Sequence, residues 1–297
     1  MSSNDRTSPS GSIARRVAAL EAAFKARAGK FQAVDWAAVA EGYSLTVNVT
    51  VDFDAMLVRR LNNEPPMQRA KGEFGGRVGI WRLLELFSAY DIPATVFTPG
   101  RICELYPQAL KALAAAGHEI ADHMWEHRIP EQPAVERAHL ERATDALTRI
   151  SGKRPCGTRS GHTPTLLREQ GYIYNSIFAA SQKPFTIRDD ASDERFLQLP
   201  FHYALDDAQF YNFGWLSSGP EAQRIMDVER VTEMWWAAAQ ERHAAGGYFN
   251  LCLHPFISGR AARIQALATL FDRIRDLPNV RFLTCRDVAA LCLRNLD

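Results

Sequence analysis

The chain has 297 residues, 46% hydrophobic and 23% charged, which is enough to bury one large core. Thirty-five basic residues nearly cancel thirty-four acidic ones, and the net charge of +1 lacks the basic excess that marks nucleic-acid or anionic-membrane partners. No run approaches the roughly eighteen apolar residues that span a bilayer, and the opening MSSNDRTSPSGS lacks the apolar stretch of a secretory leader, so a cytoplasmic location is expected.

Residues 1–12 are too polar to bury anything and read as disordered. From Ile13 to Ala28, Val17, Leu20 and Phe24 fall on one helical stripe, and a second short helix is expected around Trp36 to Glu41. Residues 1–42 are thus expected to form a tail and helical extension. Its expected place is against the main domain or a partner subunit, with a lid over the site as the alternative. From Tyr43 onward strands and helices alternate. SLTVNVTVDF, PATVFTP, HEIADH, YFNLCLH and VRFLTC read as strands. Helices are expected from Val78 to Ala89, Pro107 to Ala116, Val135 to Ile150, Ala261 to Arg275 and Asp287 to Arg294. That rhythm predicts an α/β fold, a parallel sheet or barrel with helices outside, in one catalytic domain over 43–297. In such folds chemistry gathers where the strands end. The five cysteines (Cys103, Cys156, Cys252, Cys285 and Cys292) are scattered and unpaired in spacing, and read as reduced, buried thiols.

Four stretches at predicted strand ends carry chemistry. His123-Met-Trp-Glu-His127 spaces two imidazoles so that a helical turn would let them share one metal, although chance surface pairs have the same spacing. Methionine after His123 rules out the H-E-x-x-H zincin pattern. Val51-Asp52-Phe53-Asp54-Ala55 closes an apolar strand, and alternation puts both aspartates on one face. Solvated surface acids are the plain alternative; against it, unpaired carboxylates are costly beside so apolar a strand, which points to cation binding or acid–base work. Asn250-Leu-Cys-Leu-His254-Pro255 delivers a histidine to a loop, where a satisfied core histidine is the plain alternative. Arg154-Pro-Cys-Gly-Thr-Arg159-Ser160-Gly161-His162 is a turn whose arginine could orient a carboxylate.

In this order the four stretches resemble the polysaccharide deacetylase superfamily, the NodB-homology or carbohydrate esterase family 4 group, over roughly Tyr43 to Cys292. The family's segment reads here Gly117-His118-Glu119-Ile120-Ala121-Asp122-His123-Met124-Trp125-Glu126-His127. Glu73-Phe74-Gly75-Gly76-Arg77-Val78-Gly79-Ile80-Trp81-Arg82 and Leu253 to Arg260 resemble its intracellular peptidoglycan-deacetylase-like and allantoinase-like branch. The resemblance implies a distorted (β/α) barrel of about seven units, often a homotetramer. It also implies a divalent ion held by Asp54, His123 and His127: zinc, with cobalt, nickel or manganese as alternatives. Most secreted members have adjacent aspartates, whereas Phe53 here separates Asp52 from Asp54.

The expected activity is hydrolysis of a non-peptide carbon–nitrogen bond by metal-activated water. Asp52 would be the base, His254 the acid and Arg159 a carboxylate-orienting or substrate-binding group. Trp125, Phe53 and Glu73 are expected substrate contacts, and Phe210-Tyr211-Asn212-Phe213 a further wall, with plain packing the competing role for the aromatic rings. Asp206 and Asp207 are expected to fix His254. The substrate would be a small-molecule or sugar amide. The rivals are a metal-independent cyclic-amide hydrolase and a non-catalytic metal- or carbohydrate-binding relative.

Overall fold

The computed structural model describes residues 31–177, 179–188, 194–211 and 226–296, so the expected tail and the Ile13 to Ala28 helix lie outside the described residues. Among the described residues ten strands form one curled sheet: β1 (Phe31–Ala33), β2 (Leu45–Asp52), β3 (Ala94–Thr98), β4 (Glu119–Asp122), β5 (Gly157–Thr158), β6 (Tyr174–Asn175), β7 (Phe185–Arg188), β8 (Arg195–Gln198), β9 (Gly247–Leu253) and β10 (Val280–Phe282). Seven of them, β9-β2-β3-β4-β5-β6-β8, run parallel in that spatial order, with helices between successive ones in sequence except β6 and β8, which β7 separates. This is the distorted barrel of about seven units. Across its open seam Cys252 makes an isolated parallel bridge with Asp206, and Asn250 Nδ2 donates to the Pro200 carbonyl at 3.2 Å.

All eight residues of β2 are buried, because strands pair along both of its edges. Val47, Val49 and Val51 join the main apolar cluster under the outer helices. Thr50 and Asp52, on the other face, turn polar groups into the barrel, where both meet Arg159. Alternation thus places carboxylate chemistry inside and packing outside. β9 pairs along Leu45 to Val51 on one edge of β2. The other edge is shared by β10, at Leu45 to Val47, and β3, at Val49 to Asp52.

The expected helices form with small shifts at their ends, such as Pro133–Ser151 and Ala261–Arg275. The helix expected from Val78 starts earlier: Pro66–Phe74 runs into a π-helical turn, Gly75–Gly79, and then Ile80–Ala89. A Cβ on Gly79 would stand 2.0 Å from the Pro255 carbonyl oxygen, so only glycine lets this turn approach the segment after His254.

The N-terminal extension differs from expectation in one respect. Phe31–Ala33 is a strand, paired antiparallel with β7. Val34, Trp36, Val39 and Ala40 share a buried cluster with Tyr248 and Cys285, so this stretch packs on the barrel beside the start of β9, away from His254. No described helix is long and apolar enough to cross a membrane. All five cysteines are free thiols.

Candidate metal and catalytic site

Parallel strands end on one rim, and β2, β4, β5 and β9 deliver Asp52, His123, Arg159 and His254 there, each at its own end or just past it. Asp54, His123 and His127 converge, with His123 Nε2 3.5 Å from Asp54 Oδ1 and His127 Nε2 3.7 Å from Asp54 Oδ2. The histidine pair does not lie on a helix. Residues 123–127 form a turn in which Met124 (φ 71°) and His127 (φ 59°) are left-handed, and the imidazole centroids stand 4.7 Å apart.

The protonation pattern tests whether this set fits a cation. The Arg159 carbonyl can only accept, so His123 Nδ1, 2.5 Å away, carries the proton and Nε2 presents a lone pair. Burial holds the His123 imidazole below its usual value against the pull of Asp52 and Asp54, which keeps it neutral. Its Nε2 and both Asp54 oxygens are buried and have no hydrogen-bond partner among the described residues. A lone pair facing a carboxylate with no proton between them is unfavourable in a dry site, and a divalent ion resolves it. The donors fit the group.

Asp52 has a different environment. Its Oδ1 accepts from Arg159 Nη1 at 2.6 Å, and its Oδ2 lies 3.9 Å from His123 Nε2. Burial alone would raise its pKa, but Arg159, with His123 and His254, holds the carboxyl below the usual range. Arg159 is itself buried and uses all five of its N–H groups. Nε donates to the Ser176 carbonyl, Nη1 to Asp52 and Cys252 Sγ, and Nη2 to Thr50 Oγ1 and Ser176 Oγ. The guanidinium is sandwiched between Phe97 and Phe201 at 4.2 and 4.4 Å. Arg159 thus has no donor to spare, and one of its five is aimed at Asp52.

His254 Nδ1 donates to Asp207 Oδ1 at 2.7 Å, and its backbone N–H donates to Asp207 Oδ2 at 2.8 Å. Ser258 Oγ donates to the same Oδ2 at 2.5 Å, while Nε2 faces Asp54 Oδ2 at 4.0 Å. Burial disfavours the imidazolium, but Asp207, then Asp206 and Asp52, outweigh it and raise His254 to about 10. Burial, reinforced by Asp207, pushes Asp206 up to about 6.

A family model described as polysaccharide deacetylase matches residues 74–168. A crystal structure of an assigned polysaccharide deacetylase from Mycobacterium smegmatis is 30% identical, with a TM-score of 0.77 over 85% of this chain and 91% of that one. The chain belongs to the polysaccharide deacetylase family. Like its relatives in the family it is a hydrolase of carbon–nitrogen bonds other than peptide bonds. The peptidoglycan deacetylase of Helicobacter pylori is 24% identical over 277 residues, 80% of this chain and 93% of that protein. The Puue allantoinase shares the fold, at TM-score 0.75 and 22% identity over 86% of this chain and 92% of that one.

For a polysaccharide deacetylase, several residues singled out in the sequence sit apart from the cluster. Phe53 is fully buried against Tyr106 in the main core, with ring centroids 5.9 Å apart. Trp125 is 4% exposed, wedged against Gly100 and Ala143 and covered by Arg142 at 3.8 Å. Both rings are buried, in the packing role that competed with substrate contact, where apolar area is best removed from water. Glu73 Oε2 accepts from Tyr106 Oη and Arg77 Nε, at 2.8 and 3.0 Å. Tyr211 packs under Arg263, and Asn212 and Phe213 lie outside the described residues. The sequence assigned no role to Thr50, Ser176, Phe97, Phe201 or Ser258. For the first four the signal was a polar or aromatic residue at or near a strand end, and Ser258 lies in the Leu253 to Arg260 stretch.

Proposed function

We propose that this chain is a metal-dependent deacetylase acting on the N-acetyl amide of a sugar, with the ion held by Asp54, His123 and His127. The observation that carries it is the neutral His123 lone pair set 3.5 Å from a carboxylate that has no proton donor of its own. Two imidazoles and a carboxylate leave open positions on a zinc-like ion, with cobalt, nickel and manganese as alternatives. A bound divalent ion would polarise the amide carbonyl and make water nucleophilic near neutral pH.

The chain's own residues supply the proton transfers. Asp52, ionised and aimed by Arg159, takes the proton from the attacking water. His254, charged through its contact with Asp207, donates to the departing nitrogen. Arg159 keeps the Asp52 carboxylate from rotating, and its aromatic sandwich excludes water from the pair. The sugar amide is favoured over a cyclic amide because the relatives named as deacetylases include the 30% identical chain. A homotetramer and a cytoplasmic location are proposed on the resemblance alone, and ultracentrifugation with cell fractionation tests them. Elemental analysis of purified protein, followed by a chelator-sensitive acetate-release assay on N-acetyl sugars with cyclic imides alongside, tests the function. Turnover that survives both chelation and His123→Ala would overturn it.

A further inference from the structure

The turn that carries His123 and His127 is held from outside mainly by backbone groups. His123 N–H donates to the Thr98 carbonyl at 3.1 Å, the Met124 carbonyl accepts from Gly100 N–H at 2.9 Å, and the Trp125 carbonyl accepts from Arg101 N–H at 3.0 Å. The side chain of Asp122 adds to this set. Asp122, the last residue of β4, is 0% exposed, and its Oδ2 accepts from Met124 N–H at 3.2 Å and from Thr158 Oγ1 at 2.7 Å. Asp122 and Thr158 are register partners across β4 and β5, so the hydroxyl that anchors the carboxylate belongs to a fixed strand.

The bond to Met124 falls where the backbone needs it. Met124 is left-handed, as is His127, a conformation that L-residues enter only when their surroundings impose it. If Met124 N–H lost its acceptor, the turn would be free to relax and the two imidazoles would no longer converge. The other oxygen, Oδ1, is buried without a hydrogen-bond partner among the described residues, a cost that shape-filling alone would not justify. Asp122 is not part of the cluster of potential ligands. We propose that Asp122, braced by Thr158, is the positioning residue of the metal turn and sets the affinity of the Asp54–His123–His127 site for its ion.

This inference rests on the proposed metal site, and its test separates the two. The metal-free protein is titrated with zinc in competition with a chromophoric chelator, and circular dichroism and melting are recorded for each variant. Asp122→Ala weakens zinc binding by about 10- to 100-fold, the range found when an outer hydrogen-bond partner is removed. Asp122→Asn, whose amide oxygen still accepts from both donors, restores binding close to wild type. Thr158→Val shows a smaller loss in the same direction. Thr144→Val is the control: its hydroxyl is buried with Tyr172 and Leu140 in the helix Pro133–Ser151, so it lowers the melting temperature without moving zinc affinity. If wild type binds no zinc, the metal site falls and this inference with it. If wild type binds zinc and Asp122→Ala binds equally well, only the role of Asp122 is overturned. Should Asp122→Ala fail to fold, unchanged affinity in Thr158→Val overturns it instead.

Discussion

The two halves of the rim, 4.0 Å apart at Asp54 and His254, treat their polar atoms in opposite ways. Around His254 the donors and the carboxylate are matched: Asp207 takes two bonds from the histidine and one from Ser258. Around Asp54 the carboxylate and the Nε2 lone pair of His123 face each other, and among the described residues nothing donates to either. A satisfied network is rigid before substrate arrives, and suits a group that must donate one proton along one line. An unsatisfied one marks a place for something the chain does not supply. On the proposed function, the half around Asp54 binds the cation and the saturated half orients.

Substitutions on the two halves should therefore fail differently. The largest effect is expected from Asp54→Ala or His123→Ala, which should abolish metal binding and lower turnover at least about a thousandfold, since Lewis-acid stabilisation is worth several kcal/mol. Elemental analysis and acetate release on the same samples check it; an active, metal-free variant would dissolve the contrast. His254→Ala should leave metal content unchanged while kcat drops by about 10²- to 10⁴-fold, the usual worth of a general acid. Asp207→Asn should cost about 10- to 100-fold, because the ring stays but loses its aim. Loss of metal from either variant would show that the halves are not separable.

A titration sharpens the same contrast. In metal-free protein His254 should titrate near 10, not near 6.5, and Asp207→Asn should bring it down. The folded value lies above the unfolded one, so this contribution to stability is complete below pH 6.5 and disappears as pH rises through 10. The urea-midpoint advantage of wild type over Asp207→Asn should accordingly be largest near pH 6 and shrink toward pH 10.5. Imidazole NMR that finds the His254 midpoint near 6.5 would remove the charged acid from the mechanism. The smallest effect concerns the thiols. Burial raises Cys103 and Cys292 to about 12, so native protein at neutral pH should alkylate slowly, whereas urea-unfolded protein should modify all five cysteines.

Much of the fold could be read from local pattern. The alternation of apolar strands with 3.6-periodic helices pointed to a parallel sheet or barrel, because each element's buried face is written at its own period, and the family resemblance narrowed it to the barrel. The ordered pieces Asp54, His123, His127, Arg159 and His254 pointed to one rim, since parallel strands share their ends. Local pattern failed where long-range contact decides. Phe31–Ala33 is a strand only because β7 offers it an edge. The π-turn at Gly75–Gly79 lies beside the backbone at Pro255, about 180 residues away in sequence. For Trp125 and Phe53 both packing and ligand contact stayed open in the sequence, because residue type cannot say which way a ring is covered.

By itself the sequence placed the candidate residues at strand ends, which follows from composition and period, and the family resemblance singled them out as a set. Only the tertiary structure decided how protons are distributed among them. Arg159 could have bound substrate until all five of its donors were found in use. Asp207, and not Asp206, takes the His254 proton bond, and a turn, not a helix, brings His123 to His127. Hydrogen bonds are short and directional, so partners far apart in sequence are fixed only once the barrel closes.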